Sequence, residues 1–323
     1  MSHEFAATAP SKVNLHLGVG EARSDGYHDL VTVFQAVDRR ETVRLLVNPE
    51  MRSVVSGSVV TGMSTFFEVE EPHEDINHAC NLAWRAVDAV VEEYRRQYPH
   101  ADVALPAVKI VVEKPVFVAG GMAGGSADAA AALVAANAYI AHFGNAPLEH
   151  AAIERIAGQL GADVPFCLMG GVALGTGRGD ELVELMARGS YHWVFINPRL
   201  GLPTGKAFSL LDDLRHNSAS LVPHLDTSAL SQALLTGDPA AVAPVLHNDL
   251  EAAAVRMRPQ LRQLVVVAGE AGLRAIVSGS GPTVAVLCED ERHADAVLRE
   301  LSVAFPNYEA FAAAGPSPGA ALL

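Results

Sequence analysis

The sequence is poor in cysteine and contains no apolar run long enough to cross a bilayer. Its three cysteines, Cys80, Cys167 and Cys288, are odd in number and far apart, which argues against paired zinc ligands and a disulfide framework. The longest charge-free apolar stretches, Ala129 to Ala141 and Val164 to Gly177, are shorter than the roughly 20 residues of a membrane span. We therefore expect reduced, mostly buried thiols and no membrane span.

Positive charge is also scarce. The chain has 23 lysines and arginines against 37 aspartates and glutamates, which gives a formal net charge of −14. This balance opposes binding to nucleic acid or anionic lipid, so a phosphate-bearing ligand must be captured by a local positive site. The N-terminus lacks a basic segment followed by an apolar one, so no secretory signal is seen and a cytoplasmic protein is expected.

The composition is typical of a folded globular protein, with 50% hydrophobic and 19% charged residues in 323. At this length the chain is expected to form roughly two domains. Short apolar runs separated by turns near the N-terminus predict antiparallel strands. Helical spacing predicts an amphipathic helix over Asn81 to Val91. Val108 to Lys114 then reads as a strand that leads into a glycine-rich turn and an alanine-rich helix over Ser126 to Phe143.

The second half alternates predicted helices and strands. The helices are expected over Gly205 to Leu214, Ala229 to Leu235, Pro239 to Met257 and Pro259 to Gly269, and the strands over Leu273 to Val277 and Thr283 to Leu287. This pattern predicts an α+β protein with a mainly antiparallel sheet and helices in each of two domains, residues 1–172 and 173–323. The tail Gly315 to Gly319 is expected to be frayed.

The segment from Ala119 to Asp128 is rich in glycine and joins a strand to a helix. Glycines allow close approach of the backbone to phosphate oxygens, and the free N–H groups at the start of a helix favour an anion. The alternative is an ordinary helix start, for which Ser126 and Asp128 are suitable capping residues. The segment lacks the Gly-Lys-Ser/Thr ending of a P-loop, so we interpret it as a different kind of phosphate-binding loop.

Three segments resemble, in order and spacing, the motifs of the GHMP kinase superfamily: Pro10 to Leu15, Gly120 to Asp128 and Gly279 to Pro282. Asp25 to His28, Thr32 to Gln35 and Gly161 to Pro165 resemble the branch that phosphorylates a cytidine-diphosphate derivative of methylerythritol in the non-mevalonate isoprenoid pathway. The family's G-A-G-L-G-G-G-S-S motif aligns with Ala119 to Ala127, where Ala119 and Ala127 depart from it; Phe117 replaces a common proline. The resemblance implies a two-domain GHMP kinase fold with the active site in the cleft between the domains.

The resemblance also implies the catalytic residues. The family reaction moves the γ-phosphoryl group of ATP to the 2-hydroxyl of the methylerythritol moiety. Asp163 would accept the hydroxyl proton as general base, and Lys12 would keep Asp163 ionised and stabilise charge on the phosphoryl group. Without the resemblance, Asp163 could equally be a turn residue, and Lys12 could be a strand-edge lysine.

On the acceptor side, Asn14 would lie on the same face of the strand as Lys12, since strand side chains alternate. By resemblance, the cytidine pocket would be lined by Tyr27, His28, Thr204 and Phe208. An aromatic face and ring nitrogens suit stacking on cytosine and hydrogen bonding to its edge. The alternatives are a hairpin aromatic pair at Tyr27 and His28, and a core position for Phe208.

On the ATP side, the resemblance places Asn81 and Lys114 near the adenine and the loop around the phosphates. The predicted ATP-binding residues are Asn81, Lys114, Val118, Ala119, Gly120, Gly121, Met122, Ala123, Gly124, Gly125 and Ser126. Asn81 could instead only cap its helix, and Lys114 could be a solvated strand end. The Ser126 hydroxyl could meet a phosphate or its Mg²⁺. No carboxylate is assigned as a metal ligand, so Mg²⁺ is expected to arrive on ATP.

Two other functions stay open. One is another GHMP kinase of the homoserine, mevalonate or diphosphomevalonate type, and the other is a non-catalytic nucleotide-binding protein. The Asp25 to His28 segment favours the cytidine substrate over the first, and the presence of both Lys12 and Asp163 disfavours the second. His73 and His78 are five residues apart, which predicts a polar loop rather than a zinc-binding helix. We expect a small-molecule substrate, no nucleic acid or membrane partner, and a monomer or weak homodimer.

Overall fold

The computed structural model describes residues 3–23, 26–47, 56–69, 75–99, 104–144, 146–218 and 221–323. The strands are β1 (Glu4–Ala22), β2 (His28–Val47), β3 (Val60–Phe67), β4 (Val108–Lys114), β5 (Val172–Thr176), β6 (Glu181–Glu184), β7 (Tyr191–Asn197), β8 (His247–Asn248), β9 (Arg274–Val277), β10 (Val284–Cys288), β11 (Glu309–Gly315) and β12 (Ala321–Leu322). Asp25 and His73, singled out in the sequence, lie outside the described residues.

The helices are α1 (Leu82–Gln97), α2 (Gly124–Phe143), α3 (His150–Leu160), α4 (Val164–Met169), α5 (Thr204–His216), α6 (Ser228–Leu234), α7 (Pro239–Val242), α8 (Glu251–Met257), α9 (Gln260–Ala271) and α10 (Glu291–Ala304). A 3₁₀ turn over Ala243–Val245 follows α7. Among the described residues, none of these helices has the length and apolar character that crossing a membrane would require.

The first sheet is built around the long antiparallel pair β1 and β2, and its strand order is β12-β1-β2-β4-β3. The hairpin of β5 and β6 extends β2, and β8 pairs in parallel with β1. The second sheet has the order β11-β7-β10-β9 and is antiparallel throughout. The predicted α+β fold with mainly antiparallel sheets is confirmed.

Helix α2 packs against α1, α4, β1 and β2. It is buried almost all round, and most of its buried side chains are alanine, including the run Ala129 to Ala132. Because a methyl group takes little space, the helix axis lies close to the sheet. This close packing brings the glycine-rich loop before α2 against the middle of β1, where Lys12 lies.

Two predictions about the second half are wrong. The single helix expected over Pro239 to Met257 is interrupted, since the chain leaves the helical path after the 3₁₀ turn and pairs with β1 as β8. The tail expected to be frayed is held in place. The Arg40 guanidinium donates hydrogen bonds to the Ser317 hydroxyl and to the carbonyls of Pro318 and Gly319, and β12 pairs with β1. Helix α10 and strand β11 were not predicted from the sequence.

The predicted division of the chain at residues 172 and 173 stays a prediction. That point falls at the start of β5, and β5 and β6 are hydrogen-bonded into the first sheet. We propose that the first domain continues through β6 and that the second begins near β7, whose partners β10 and β11 lie in the second sheet.

Candidate active site

A cavity of about 680 Å³ opens between the two halves of the molecule. Its walls come from β1, β2, the glycine-rich loop, the start of α4 and α5. Most of the predicted site residues line it: Lys12, Asn14, Tyr27, His28, Ala119, Gly120, Gly121, Ala123, Gly124, Gly125, Ser126, Asp163, Thr204 and Phe208. Four predicted residues are not among the lining residues: Asn81, Lys114, Val118 and Met122.

Lys12 is a buried cation at the centre of this cavity wall, with 3% of its surface exposed. Its Nζ donates to the side-chain oxygen of Asn14 at 2.6 Å and to the Gly121 carbonyl at 2.8 Å. Burial lowers the pKa of the ammonium, and the negative charge of Asp163 offsets part of that lowering. The arrangement keeps a positive charge available inside a protein that is strongly acidic overall.

Asn14 is held in one orientation. Its amide nitrogen donates to the Thr32 hydroxyl at 2.8 Å, and Thr32 in turn donates to the His16 carbonyl at 2.7 Å. The amide oxygen is therefore left to accept from Lys12. The expectation that Lys12 and Asn14 share one face of β1 is confirmed by their direct hydrogen bond.

Asp163 lies in the turn between α3 and α4, at the cavity. The carbonyl of Asp163 accepts the amide of Cys167, while its side chain makes no capping hydrogen bond to the helix it precedes. Burial, together with the charge of Asp163, raises the pKa of the Cys167 thiol well above its usual range. The thiol is therefore neutral, and Asp163 is the acidic group next to Lys12 at this end of the cavity.

The glycine-rich loop ends in an uncapped helix. Helix α2 begins at Gly124, earlier than predicted, and its N-cap residue Ala123 has no side chain able to accept a hydrogen bond. The alternative in which Ser126 or Asp128 caps an ordinary helix start is therefore wrong. Because Ala123, Gly124, Gly125 and Ser126 line the cavity, this helix start presents free N–H groups and the positive end of the helix dipole to it.

The loop is tightly constrained at Gly121. Its φ of 82° lies in the left-handed region, and a Cβ at this position would lie 2.1 Å from the Ser278 carbonyl oxygen. The Gly121 carbonyl also accepts from the Ser278 hydroxyl at 3.0 Å. Gly121 thus joins the loop to the second half of the chain, at the Ser278 to Pro282 turn.

A buried charged triad lies behind the loop. The Lys114 ammonium is 2.5 Å from a carboxylate oxygen of Asp128 and 3.2 Å from one of Glu41. Burial, reinforced by the charge of Asp128, raises the pKa of the Glu41 carboxyl well above its usual value. The alternative in which Lys114 is a solvated strand end is wrong, since the residue is buried and its ammonium lies beneath Gly124.

The Asn81 side chain is also occupied within the protein. Its oxygen accepts from the Ala83 amide as the N-cap of α1, and its nitrogen donates to the Ile76 carbonyl. This is the helix cap that the sequence offered as an alternative. Leu82, the next residue, lines the cavity.

The far end of the cavity is aromatic. The rings of His28 and Phe208 lie 5.2 Å apart at an angle of 31°, and His28 Nε2 is 2.9 Å from an oxygen of Asp212. Tyr27 lies at the rim with 59% of its surface exposed. Thr204 shares a hydrogen bond of 2.9 Å with Ser280, which places both hydroxyls at the cavity. The structure thus brings the four predicted cytidine-side residues to one wall.

Two lining residues, Arg178 and Asp212, were missed by sequence reasoning, and three more, Thr32, Phe34 and Ser280, lie in the motif segments without having been predicted as site residues. Asp212 could have been predicted as a site residue from the sequence, since it follows Phe208 by four residues and therefore lies on the same face of the helix. Arg178 comes from the turn between β5 and β6, and no pattern in the sequence distinguishes it from an ordinary turn arginine.

Comparison with known protein families identifies the class of protein to which the chain belongs. Residues 81–171 match the family described as GHMP kinases N terminal domain, and residues 230–307 match GHMP kinases C terminal. A solved mevalonate kinase from L. major, at 15% identity and a TM-score of 0.72 over 97% of this chain and 96% of that one, shares the fold. The fold and the cavity are those of a GHMP small-molecule kinase.

Relatives of higher sequence identity indicate the particular family of GHMP kinases to which the chain belongs. The 4-diphosphocytidyl-2-C-methyl-D-erythritol kinase of Corynebacterium efficiens is 46% identical over 98% of this chain and 95% of its own length. The enzyme of the same name from Nocardia farcinica is 44% identical over 98% and 95%. A solved 4-(cytidine 5'-diphospho)-2C-methyl-D-erythritol kinase is 30% identical, with a TM-score of 0.68 over 97% of this chain and 98% of that one. The chain belongs to the 4-diphosphocytidyl-2-C-methyl-D-erythritol kinase family.

The Lys12 ammonium should lose its proton at a lower pH than an ordinary lysine, because burial lowers its pKa. Replacing Asp163 by Asn removes the charge that raises this pKa, so Lys12 should then titrate at a still lower pH. The measurement is a ¹³C NMR titration of the lysine Cε signals. Asp295→Asn on the exposed face of α10 is the matched control and should leave the titration unchanged. If Lys12 titrates at the same pH in Asp163→Asn as in the unaltered protein, the electrostatic coupling between Lys12 and Asp163 is contradicted.

Proposed function

We propose that this protein transfers the γ-phosphoryl group of ATP to the 2-hydroxyl of 4-diphosphocytidyl-2-C-methyl-D-erythritol, a step of the non-mevalonate isoprenoid pathway. One observation carries the proposal. A buried ammonium and a carboxylate, Lys12 and Asp163, share one cavity with an uncapped helix start on one side and the His28 and Phe208 rings on another. The family membership of the chain supports the same substrate.

Asp163 acts as general base in this proposal. Its carboxylate accepts the proton of the 2-hydroxyl as the oxygen attacks the γ-phosphorus, and the bond to the β-phosphate oxygen breaks. Lys12, beside Asp163, favours the ionised carboxylate and stabilises negative charge on the transferred group. Asn14 and the Gly121 carbonyl hold the ammonium in place through the hydrogen bonds of 2.6 and 2.8 Å.

The glycine-rich loop holds the phosphates of ATP. Free N–H groups at the start of α2 donate to phosphate oxygens, and Gly120, Gly121 and Gly124 leave room that a Cβ would fill against neighbouring atoms. The site would fit Mg²⁺ carried by ATP, since the Ser126 hydroxyl at the cavity could serve as an oxygen ligand and Asp163 is kept for the proton transfer. When bound, Mg²⁺ neutralises charge on the β- and γ-phosphates.

In this proposal, His28 recognises the cytosine base through a hydrogen bond. Because a carboxylate only accepts hydrogen bonds, the ring nitrogen that faces Asp212 carries the proton. In the neutral ring the other nitrogen, Nδ1, is then an acceptor, which matches the donating amino group of cytosine. Tyr27 and Phe208 supply aromatic surface for stacking on the base, and Thr204 supplies a hydroxyl nearby.

The predicted ATP contacts of Asn81, Lys114, Val118 and Met122 stay predictions. In this proposal, the Asn81 and Lys114 side chains act by fixing α1 and the loop, since both are fully engaged within the protein. The protein is proposed to act in the cytoplasm as a monomer or weak homodimer on dissolved metabolites, without a nucleic acid or membrane partner.

The proposed function is tested by assaying purified protein with ATP, Mg²⁺ and a panel of alcohols. The panel holds the cytidylylated methylerythritol, its uridine analogue, methylerythritol phosphate, homoserine and mevalonate. We expect phosphorylation of the cytidylylated compound alone, because His28, oriented by Asp212, accepts a hydrogen bond from the amino group of cytosine. The other compounds do not contain cytosine. Comparable turnover of homoserine or mevalonate would overturn the assignment.

Asp163→Asn should lower turnover by about 10² to 10⁴, as expected for loss of a general base, while ATP binding stays within about threefold. Steady-state kinetics and calorimetric titration with ATP measure the two quantities. Asp295→Asn, the same change on an exposed helix face, is the control and should leave both unchanged. Turnover near that of the unaltered protein in Asp163→Asn would remove Asp163 from the mechanism.

Asp212→Asn should raise KM for the cytidine substrate about tenfold, because the amide no longer fixes which nitrogen of His28 carries the proton. KM for ATP should not change, and kcat at saturating substrate should fall by less than about threefold. Asp213→Asn, next to it on the exposed side of α5, is the matched control. A rise in KM for ATP instead would mean that this wall of the cavity binds the other substrate.

A further inference from the structure

A second cluster of polar side chains lies outside the cavity, where β1, β8 and the segment of residues 221–227 meet. His224, His247 and Asp249 each direct one donor atom to a common point, and these three atoms all lie within 4.8 Å of one another. His247 Nε2 is 2.7 Å, and His224 Nδ1 is 3.3 Å, from the same oxygen of Asp249, Oδ1. The two imidazole rings are 4.2 Å apart.

The Asp249 carboxylate is fixed by contacts to its other oxygen. Oδ2 accepts from the backbone amides of Val19 and His224 and from the Arg215 guanidinium, at 2.8, 3.2 and 2.9 Å. These three contacts orient the carboxylate, with Oδ1 turned to the two imidazoles.

The backbone that carries His224 is fixed as well. The His224 carbonyl lies 2.8 Å from His16 Nε2, and the same oxygen would lie 1.9 Å from a Cβ on Gly18. His247 belongs to β8, which is paired with β1, and the Asp249 amide donates to the Leu17 carbonyl. All three donor residues are thus held against the same strand, and the two imidazoles stay open to water: His224 is 56% exposed and His247 35%.

We propose that His224, His247 and Asp249 form a binding site for a divalent transition-metal ion, with Zn²⁺ as the best match. Two imidazoles and one carboxylate are a common zinc donor set, which leaves a fourth position for water. With metal–ligand bonds of about 2.0–2.1 Å, the donors of a tetrahedral site lie roughly 3.4 Å apart. The 3.3 Å between His224 Nδ1 and Asp249 Oδ1 meets that spacing, and the 2.7 Å hydrogen bond between His247 Nε2 and the same oxygen would lengthen when both bind the ion.

The neighbouring charges are compatible with a bound cation. Arg215 contacts Oδ2 and so leaves Oδ1 to the ion. The third nearby imidazole, His16, is engaged through Nε2 with the His224 carbonyl at 2.8 Å. A carboxylate that binds a metal through one oxygen and hydrogen-bond donors through the other is a frequent support for metal sites.

A bound ion would join the segment of residues 221–227 to β1 and β8. It would lie outside the cavity, yet Leu17 and Leu250, next to the residues of the site in space and in sequence, both line the cavity wall. The site is separate from the phosphate-binding loop and does not depend on the proposed function.

The test is equilibrium dialysis of the untagged full chain against Zn²⁺ alone, with bound metal measured by elemental analysis. The unaltered protein should bind one Zn²⁺ more tightly than His224→Ala and His247→Ala, with a loss of about tenfold or more in affinity for each variant. His150→Ala is the matched control, because His150 is an exposed histidine beside a carboxylate on a remote helix, α3. Its Zn²⁺ affinity should equal that of the unaltered protein.

A second measurement reports the coordination itself. Co²⁺ in place of Zn²⁺ should give the visible absorption of a low-coordinate site in the unaltered protein and in His150→Ala, and not in His224→Ala. His224 is exposed, so this variant should fold normally and keep its turnover with ATP and Mg²⁺ when neither Zn²⁺ nor Co²⁺ is added. Equal Zn²⁺ affinity in all four proteins, or no uptake by the unaltered protein at one equivalent, would overturn the proposal.

Discussion

The carbonyl oxygen of Gly121 is the point on which the architecture of the cavity depends. It accepts hydrogen bonds from the Lys12 ammonium on the first strand and from the Ser278 hydroxyl in the second half of the chain. Hydrogen bonds to a charged group in a buried setting are strong, and leaving such a charge without partners is costly. The position of the cation and the shape of the loop therefore determine each other, and neither is arranged without the second half of the molecule.

The packing around the glycine-rich loop holds two of its residues in a strained backbone conformation. Ala119 and Ala123 both have left-handed backbone angles, with φ of 54° and 59°, at positions where the aligned motif has glycine. For a residue with a Cβ, this conformation costs about 1–2 kcal/mol. The buried triad of Lys114, Glu41 and Asp128 lies directly beneath Gly124 and supports the loop from the side away from the cavity. The chain thus tolerates alanine because the loop is fixed from both sides.

The sequence predicted elements where local pattern and tertiary packing agree, and failed where packing overrides the pattern. The strand, loop and helix from β4 to α2 follow from apolar runs, glycines and alanines. The run from Pro239 to Met257 has helical composition, yet β8 forms within it because an edge of β1 is free to pair there. Most of the predicted site residues line one cavity, whereas Asn81, Lys114, Val118 and Met122 do not. Asp212 and Arg178 were not found, since their role depends on where α5 and the β5–β6 turn dock.

The C-terminal residues are part of the first sheet. Strand β12 pairs with β1, the Ser317 amide and carbonyl bond to Ala36 and Gly171, and Arg40 holds the carbonyls of Pro318 and Gly319. During translation, β1 and β2 emerge from the ribosome long before these partners exist. The N-terminal domain therefore reaches its final form only once residues 317–322 have left the exit tunnel. Until then, nascent chains expose one unpaired edge of β1 to other proteins, including chaperones.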